Sequence, residues 1–128
     1  MKNKVILTAC IFGLLAVICG AFGAHALKAH LTATNLEIWH TAVQYQFYHV
    51  FALLFLATFF KEENRYALLS YYFFSIGIVL FSGSIYLLAC RELLHWDWLV
   101  IMGPITPIGG LLFILGWIMM ALAALKKA

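Results

Sequence analysis

The sequence predicts an all-α membrane protein, a bundle of four transmembrane helices with both termini in the cytoplasm. Three observations lead there. First, the 128 residues are 66% hydrophobic and only 10% charged, whereas soluble domains carry about 25% charged residues. Second, the 8 Lys and Arg and 5 Asp and Glu residues leave four uncharged runs, 5–24, 38–60, 66–90 and 98–125. Each is about 20 residues or longer, which is what a helix needs to cross roughly 30 Å of hydrocarbon. A charge at the centre of a span costs about 2.5–3.5 kcal/mol on insertion scales, and no run holds one. Third, the basic residues are unevenly divided between the two sides. Lys2, Lys4, Lys61, Arg65, Lys126 and Lys127 share one side, and only Lys28 and Arg91 lie on the other. The positive-inside rule then puts both ends in the cytoplasm.

The whole chain reads as one domain, with spans near 5–24, 36–60, 66–90 and 107–125. The first span carries small residues at Ala9, Gly13, Ala16, Gly20 and Gly23. Helices in lipid approach closely through such stripes, because no hydrophobic drive brings them together. Lys2 and Lys4 with Ala24-His25-Ala26 resemble a secretory leader, but the apolar run exceeds the usual 7–15 residues, so the segment is expected to remain as a span. His25 to Leu31 is expected to form a short interfacial helix, and Thr32 or Thr34 offers a cap for the second span.

The second span holds most of the polar material. At 100° per residue, Glu37, Thr41, Gln44, Tyr45, Tyr48 and Ala52 share one arc, which Ala42, Gln46 and His49 continue. Leu36, Trp39, Val43, Phe47, Val50 and Leu54 form the opposite, apolar face, expected to meet lipid. The polar face must then meet protein or water. The five-residue connection 61–65 forces the second and third spans into an antiparallel hairpin. In the third span Ser70, Gly77 and Ser84 recur every seven residues, and in the fourth Gly109, Gly116 and Ala123 do the same. Gly103-Pro104-Ile105-Thr106-Pro107-Ile108-Gly109-Gly110 should break the helix, with non-helical backbone at 103–106 and Pro107 in the first turn of the final helix. Trp39, Trp96 and Trp98 are expected in an aromatic belt at one interface, with Tyr66, Tyr71 and Tyr72 nearer the other.

Depth brings several polar groups to one level. Gln44, Tyr45, Tyr48 and His49 on the second span, Ser82, Ser84 and Tyr86 on the third, and Thr106 at the break compose a candidate binding site. Two readings stand: these groups satisfy one another as structural glue, or they line a polar pocket. His49 lies near the midplane, where it serves as a relay or as a neutral hydrogen-bonded ring.

The missing residue types narrow the chemistry. No span holds Asp or Glu away from its ends. There is no Ser-His-Asp or Cys-His set on facing spans, no HExxH, no phosphate-binding loop and no dinucleotide fingerprint. Cys10, Cys19 and Cys90 have no metal spacing, and a bis-His haem would need a second buried His on another span, which the sequence lacks. No catalytic residue, metal or cofactor is expected. A net charge of +3, with basic residues scattered at run ends, gives no nucleic-acid surface.

Four segments together are recognisable: Gly20-Ala-Phe-Gly-Ala-His-Ala-Leu-Lys28, Trp39-x-Thr-Ala-x-x-Tyr-Gln46 with His49, Phe81-Ser-Gly-Ser-x-Tyr86, and Gly103-Pro-Ile-Thr-Pro-Ile-Gly-Gly110 with Gly116-Trp117 beyond it. The chain closely resembles the YgdD/YwdK-like family of small bacterial membrane proteins, which also has eukaryotic relatives. The resemblance implies a multi-pass protein of the bacterial plasma (inner) membrane, and no particular activity. The expectation is a non-enzymatic membrane factor or assembly partner. Its surroundings would be the lipid bilayer and a homo-oligomer or membrane-protein partner. The alternative is a channel or carrier for a small solute, using the pocket between helices two, three and four.

Overall fold

A computed structural model of the chain describes residues 1–59 and 64–127. Four helices long and apolar enough to cross a membrane make up the fold: α1 (Lys2–Ala24), α2 (Ala33–Phe59), α3 (Arg65–Ala89) and α4 (Ile105–Lys127). No strand occurs among the described residues. This is the solution lipid imposes, since a helix satisfies its backbone internally and leaves nothing polar for hydrocarbon to solvate. Phe60, Lys61, Glu62 and Glu63 lie outside the described residues, and with them most of the expected 61–65 turn.

The ends of the helices obey local rules. Between α1 and α2 the expected interfacial helix is a single 3-10 turn, Leu27–Ala29. Thr32 Oγ1 accepts from the Asn35 amide at 3.2 Å and starts α2. Asn64 caps α3 by accepting from the Tyr66 and Ala67 amides, and its own amide donates to Ala123 O near the end of α4. A helical turn (Arg91–Leu94) and a 3-10 segment (Asp97–Met102) connect α3 to α4. His95, between them, takes φ 54°. Helix α4 begins at Ile105, two residues ahead of the expected start. Pro107 costs nothing there, because first-turn amides have no partner inside a helix.

The bundle is built from two tight pairs, α1 with α2 and α3 with α4, joined through α2 and α3. The α1 small stripe faces α2. A Cβ on Gly13 would touch Val50, one on Gly20 would touch Val43, and one on Gly23 would lie 2.6 Å from the Trp39 ring. Trp39, 7% exposed, fills that recess and donates its indole N–H to Cys19 O at 2.9 Å. It therefore does not join the interfacial belt, which keeps the exposed Trp96 and Trp98. The α3–α4 seam is made by the two seven-residue rows. Ser70 Oγ donates to Gly116 O at 2.8 Å, Gly77 faces Phe113, and Gly109 lies against the Phe81 backbone. At that contact α3 contains a π-helical turn, Ile78–Ser82.

The apolar face expected to meet lipid on α2 is instead largely interior. Trp39, Val43 and Val50 are buried, and Glu37, Gln44, Tyr45 and Tyr48 are exposed. Gly23 on α1 contributes: it leaves the recess that the Trp39 ring fills, and with that face inward the first half of the polar arc turns outward.

Candidate functional site

The buried polar groups sort by the helices they join. Gln46, 3% exposed, spans the centre of the bundle. Its Nε2 donates to Phe12 O on α1 at 2.7 Å, and its Oε1 accepts from the Tyr86 hydroxyl on α3 at 2.7 Å. One side chain thus binds three helices together. Gln46, at the margin of the polar arc, has this role, whereas Gln44 is exposed on the surface of α2.

His49 is buried against the stacked Phe113 ring, with centroids 3.5 Å apart and planes 5° apart. Nδ1 is 2.7 Å from Tyr45 O, and the Trp117 indole N–H donates to Nε2 at 3.2 Å. A carbonyl can only accept and an indole can only donate. The ring therefore carries its proton on Nδ1, donates to Tyr45 O, and accepts at Nε2. Both nitrogens are used, so the ring has no free position for a solute.

The remaining candidates form separate pairs. Ser82 Oγ donates to Ala42 O on α2 at 2.8 Å. Ser84 Oγ and Thr106 Oγ1 are 2.6 Å apart across the α3–α4 seam, and Ser84 also reaches Phe81 O at 2.9 Å. Tyr45 packs its ring on Phe81 at 4.9 Å and on Tyr48 at 5.7 Å. Tyr48 is 54% exposed. The eight candidate residues are thus divided. Ser84 meets Thr106, His49 meets Tyr45, Tyr86 meets Gln46, Ser82 meets a backbone carbonyl, and Gln44 and Tyr48 face outward. Among the described residues, Ser75 Oγ is the one buried side-chain oxygen or nitrogen without a partner.

An open groove does run between α2 and α4. Its first part, about 500 Å³, is lined by Tyr45, His49, Phe81, Pro107, Phe113 and Trp117, among others. Further parts of about 360 and 260 Å³ continue along Phe51, Phe55, Trp117 and Met120 to Phe59 and Ala124. Aromatic carbon dominates the walls. The polarity of the sequence does not reveal Phe81, Phe113 and Trp117 as neighbours of His49. Trp117 stands within the recognisable Gly116-Trp117 pair, which is the available signal. No group of three or more His, Cys, Asp or Glu residues suited to a metal occurs among the described residues.

Such a bundle defines a small polytopic membrane protein whose buried polar groups bind its own helices together. The chain belongs to the family described as "Protein of unknown function (DUF423)", whose profile matches residues 19–110. It is 43% identical to the UPF0382 membrane protein YwdK of Bacillus subtilis, over 98% of both chains. A UPF0382 membrane protein of Haemophilus influenzae is 40% identical over 99% of this chain and 98% of its own length. The UPF0382 inner membrane protein YgdD of Escherichia coli is 36% identical over 92% of this chain and 86% of its own. No solved structure matches.

Proposed function

We propose that this chain is a non-enzymatic membrane factor of the bacterial inner membrane, a compact scaffold that offers an outer face to a membrane partner. One observation carries the reading: the buried polar groups of the bundle, Ser75 apart, are consumed in holding the helices together. Gln46, Ser70, Ser82, Ser84 and His49 each bond a backbone carbonyl or a neighbouring side chain. A solute path needs groups that can exchange protein partners for water or cargo. The α2–α4 groove opens sideways, and its lining is mostly aromatic. The channel or carrier alternative draws no support from these pairings. The charge bias of the sequence supports cytoplasmic termini, and the inner-membrane name of the E. coli relative supports the location.

The test is water access. With Cys10, Cys19 and Cys90 replaced by Ala, Ser84→Cys is treated in intact cells with a water-soluble thiol reagent. Thr32→Cys serves as the exposed loop control and Val79→Cys as the lipid-facing one. The scaffold reading expects Thr32→Cys alone to react. Labelling of Ser84→Cys at a rate near that of Thr32→Cys would establish a wet pocket and overturn it.

A further inference from the structure

The surfaces of the four helices are not alike. The exposed faces of α1 and α4 are apolar at membrane depth, as Leu14 at 62% and Ile114 at 58% exposure exemplify. Helix α2 differs. Thr41, Gln44, Tyr48, Phe51 and Phe55 recur at spacings of three and four residues along one outward stripe. That spacing is what any straight outward face gives, so the chemistry of the stripe is the informative part. Gln44 lies seven residues inward of Glu37, the last charge of this span, or about 10 Å along the axis. Its carboxamide and the Tyr48 hydroxyl have no hydrogen-bond partner among the described residues. Lipid tails offer none, and polar groups inside membranes face protein or water.

We propose that the chain forms a parallel, two-fold dimer through this stripe of α2, with the Gln44 carboxamides of two copies hydrogen-bonded to each other. This rests on the scaffold reading above and identifies the partner as a second copy. Copies inserted the same way are related by an axis along the membrane normal, so each α2 residue meets its counterpart at its own depth. A carboxamide is self-complementary: each Nε2–H donates to the other copy's Oε1, which gives two bonds for one residue type. Tyr48 and Phe51, 54% and 62% exposed, then fill the seam below it. A carboxamide in a three-four seam also sets register, as in soluble coiled coils. The same stripe on α1 or α4 would give neither bonds nor register.

The proposal is tested in native membranes with the full chain lacking its three native cysteines. Tyr48→Cys and Phe51→Cys should form disulfide-linked dimers under mild oxidation, since a disulfide needs Cα atoms within about 7 Å. Leu14→Cys and Ile114→Cys, equally exposed on α1 and α4, should not. In vesicles, dilution measured by energy transfer between labelled copies should show that Gln44→Leu weakens association about threefold to thirtyfold, with Gln44→Asn retaining most of it. Absence of dimers at both α2 positions, equal cross-linking at all four positions, or undiminished association of Gln44→Leu would each overturn the proposal. Those results leave the scaffold reading intact. Reaction of Ser84→Cys with the aqueous reagent would remove the scaffold reading whatever the dimer result.

Discussion

Adding one methyl group at Gly109 is a direct way to measure how closely α3 and α4 approach. A Cβ built there would lie on the Phe81 backbone nitrogen, 2.7 Å from Phe81 Cα and 2.8 Å from its Cβ. None of these atoms can swing aside as a side-chain tip would, so the helices must separate. Separation strains the Ser70–Gly116 and Ser84–Thr106 hydrogen bonds, at 2.8 and 2.6 Å. Overpacking costs about 1–3 kcal/mol, and interhelical bonds in lipid contribute about 0.6 kcal/mol each. Against this, Gly to Ala inside a helix gains about 1 kcal/mol. Gly109→Ala should therefore destabilise by about 1–3 kcal/mol net.

Gly83→Ala is the matched control, on the neighbouring helix and with nothing within 4 Å of its Cβ position. It keeps the propensity gain without the clash, so it should stabilise by up to about 1 kcal/mol. Unfolding by increasing SDS fraction in mixed micelles, monitored by far-UV circular dichroism, reads both midpoints. The two variants should move in opposite directions. Equal shifts, or a neutral Gly109→Ala, would mean that α3 and α4 do not touch through backbone at this point and that the small-residue rows do not set their spacing.

Three further outcomes are expected. Gln46→Leu should lower stability by about 1–3 kcal/mol, because it strips partners from Phe12 O and the Tyr86 hydroxyl, whereas Gln44→Leu should leave the unfolding midpoint of a monomer in detergent unchanged. Trp117→Phe removes the donor to His49 Nε2 and should cost about 0.6–1.7 kcal/mol, with the same loss absent when His49 is already Phe. A reporter active only outside the cytoplasm should be silent when fused after Ala128 and active when inserted after Thr32; the reverse pattern would sink the orientation read from the basic residues.

The helices were legible because lipid makes two simple demands, length and absence of charge, and both can be counted along a chain. The small-residue rows were legible for a related reason: close approach without a hydrophobic drive requires them, and they recur at helical spacing. The register of α2 was not legible from its own polarity. An arc drawn by hydrophobicity assumes that apolar residues seek lipid, but in a bilayer the interior of a protein is no more apolar than its surroundings. Packing volume decides instead. Trp39 turns inward into the space that Gly23 leaves, and Val43 and Val50 pack on the same face against Gly20 and Gly13. A better guide was present in Ala42, Gln46 and His49, at steps of four and three. There a small residue and two hydrogen-bonding ones mark the face that touches other helices.

Packing volume also gives Gln44 its significance. If polarity alone turned residues inward, Gln44 and Gln46 would compete for the interior, and one would be surplus. The bundle uses Gln46 to hold α1 and α3, and its buried hydroxyls, Ser75 apart, are already paired elsewhere. Rotating α2 to bury Gln44 would expose Gln46 or His49 in its place and empty the Trp39 recess. Helix α2 therefore carries more hydrogen-bonding groups than one bundle can satisfy. The remainder, Gln44 and Tyr48, lies on a single outward face of α2, the face that the proposed dimer would cover.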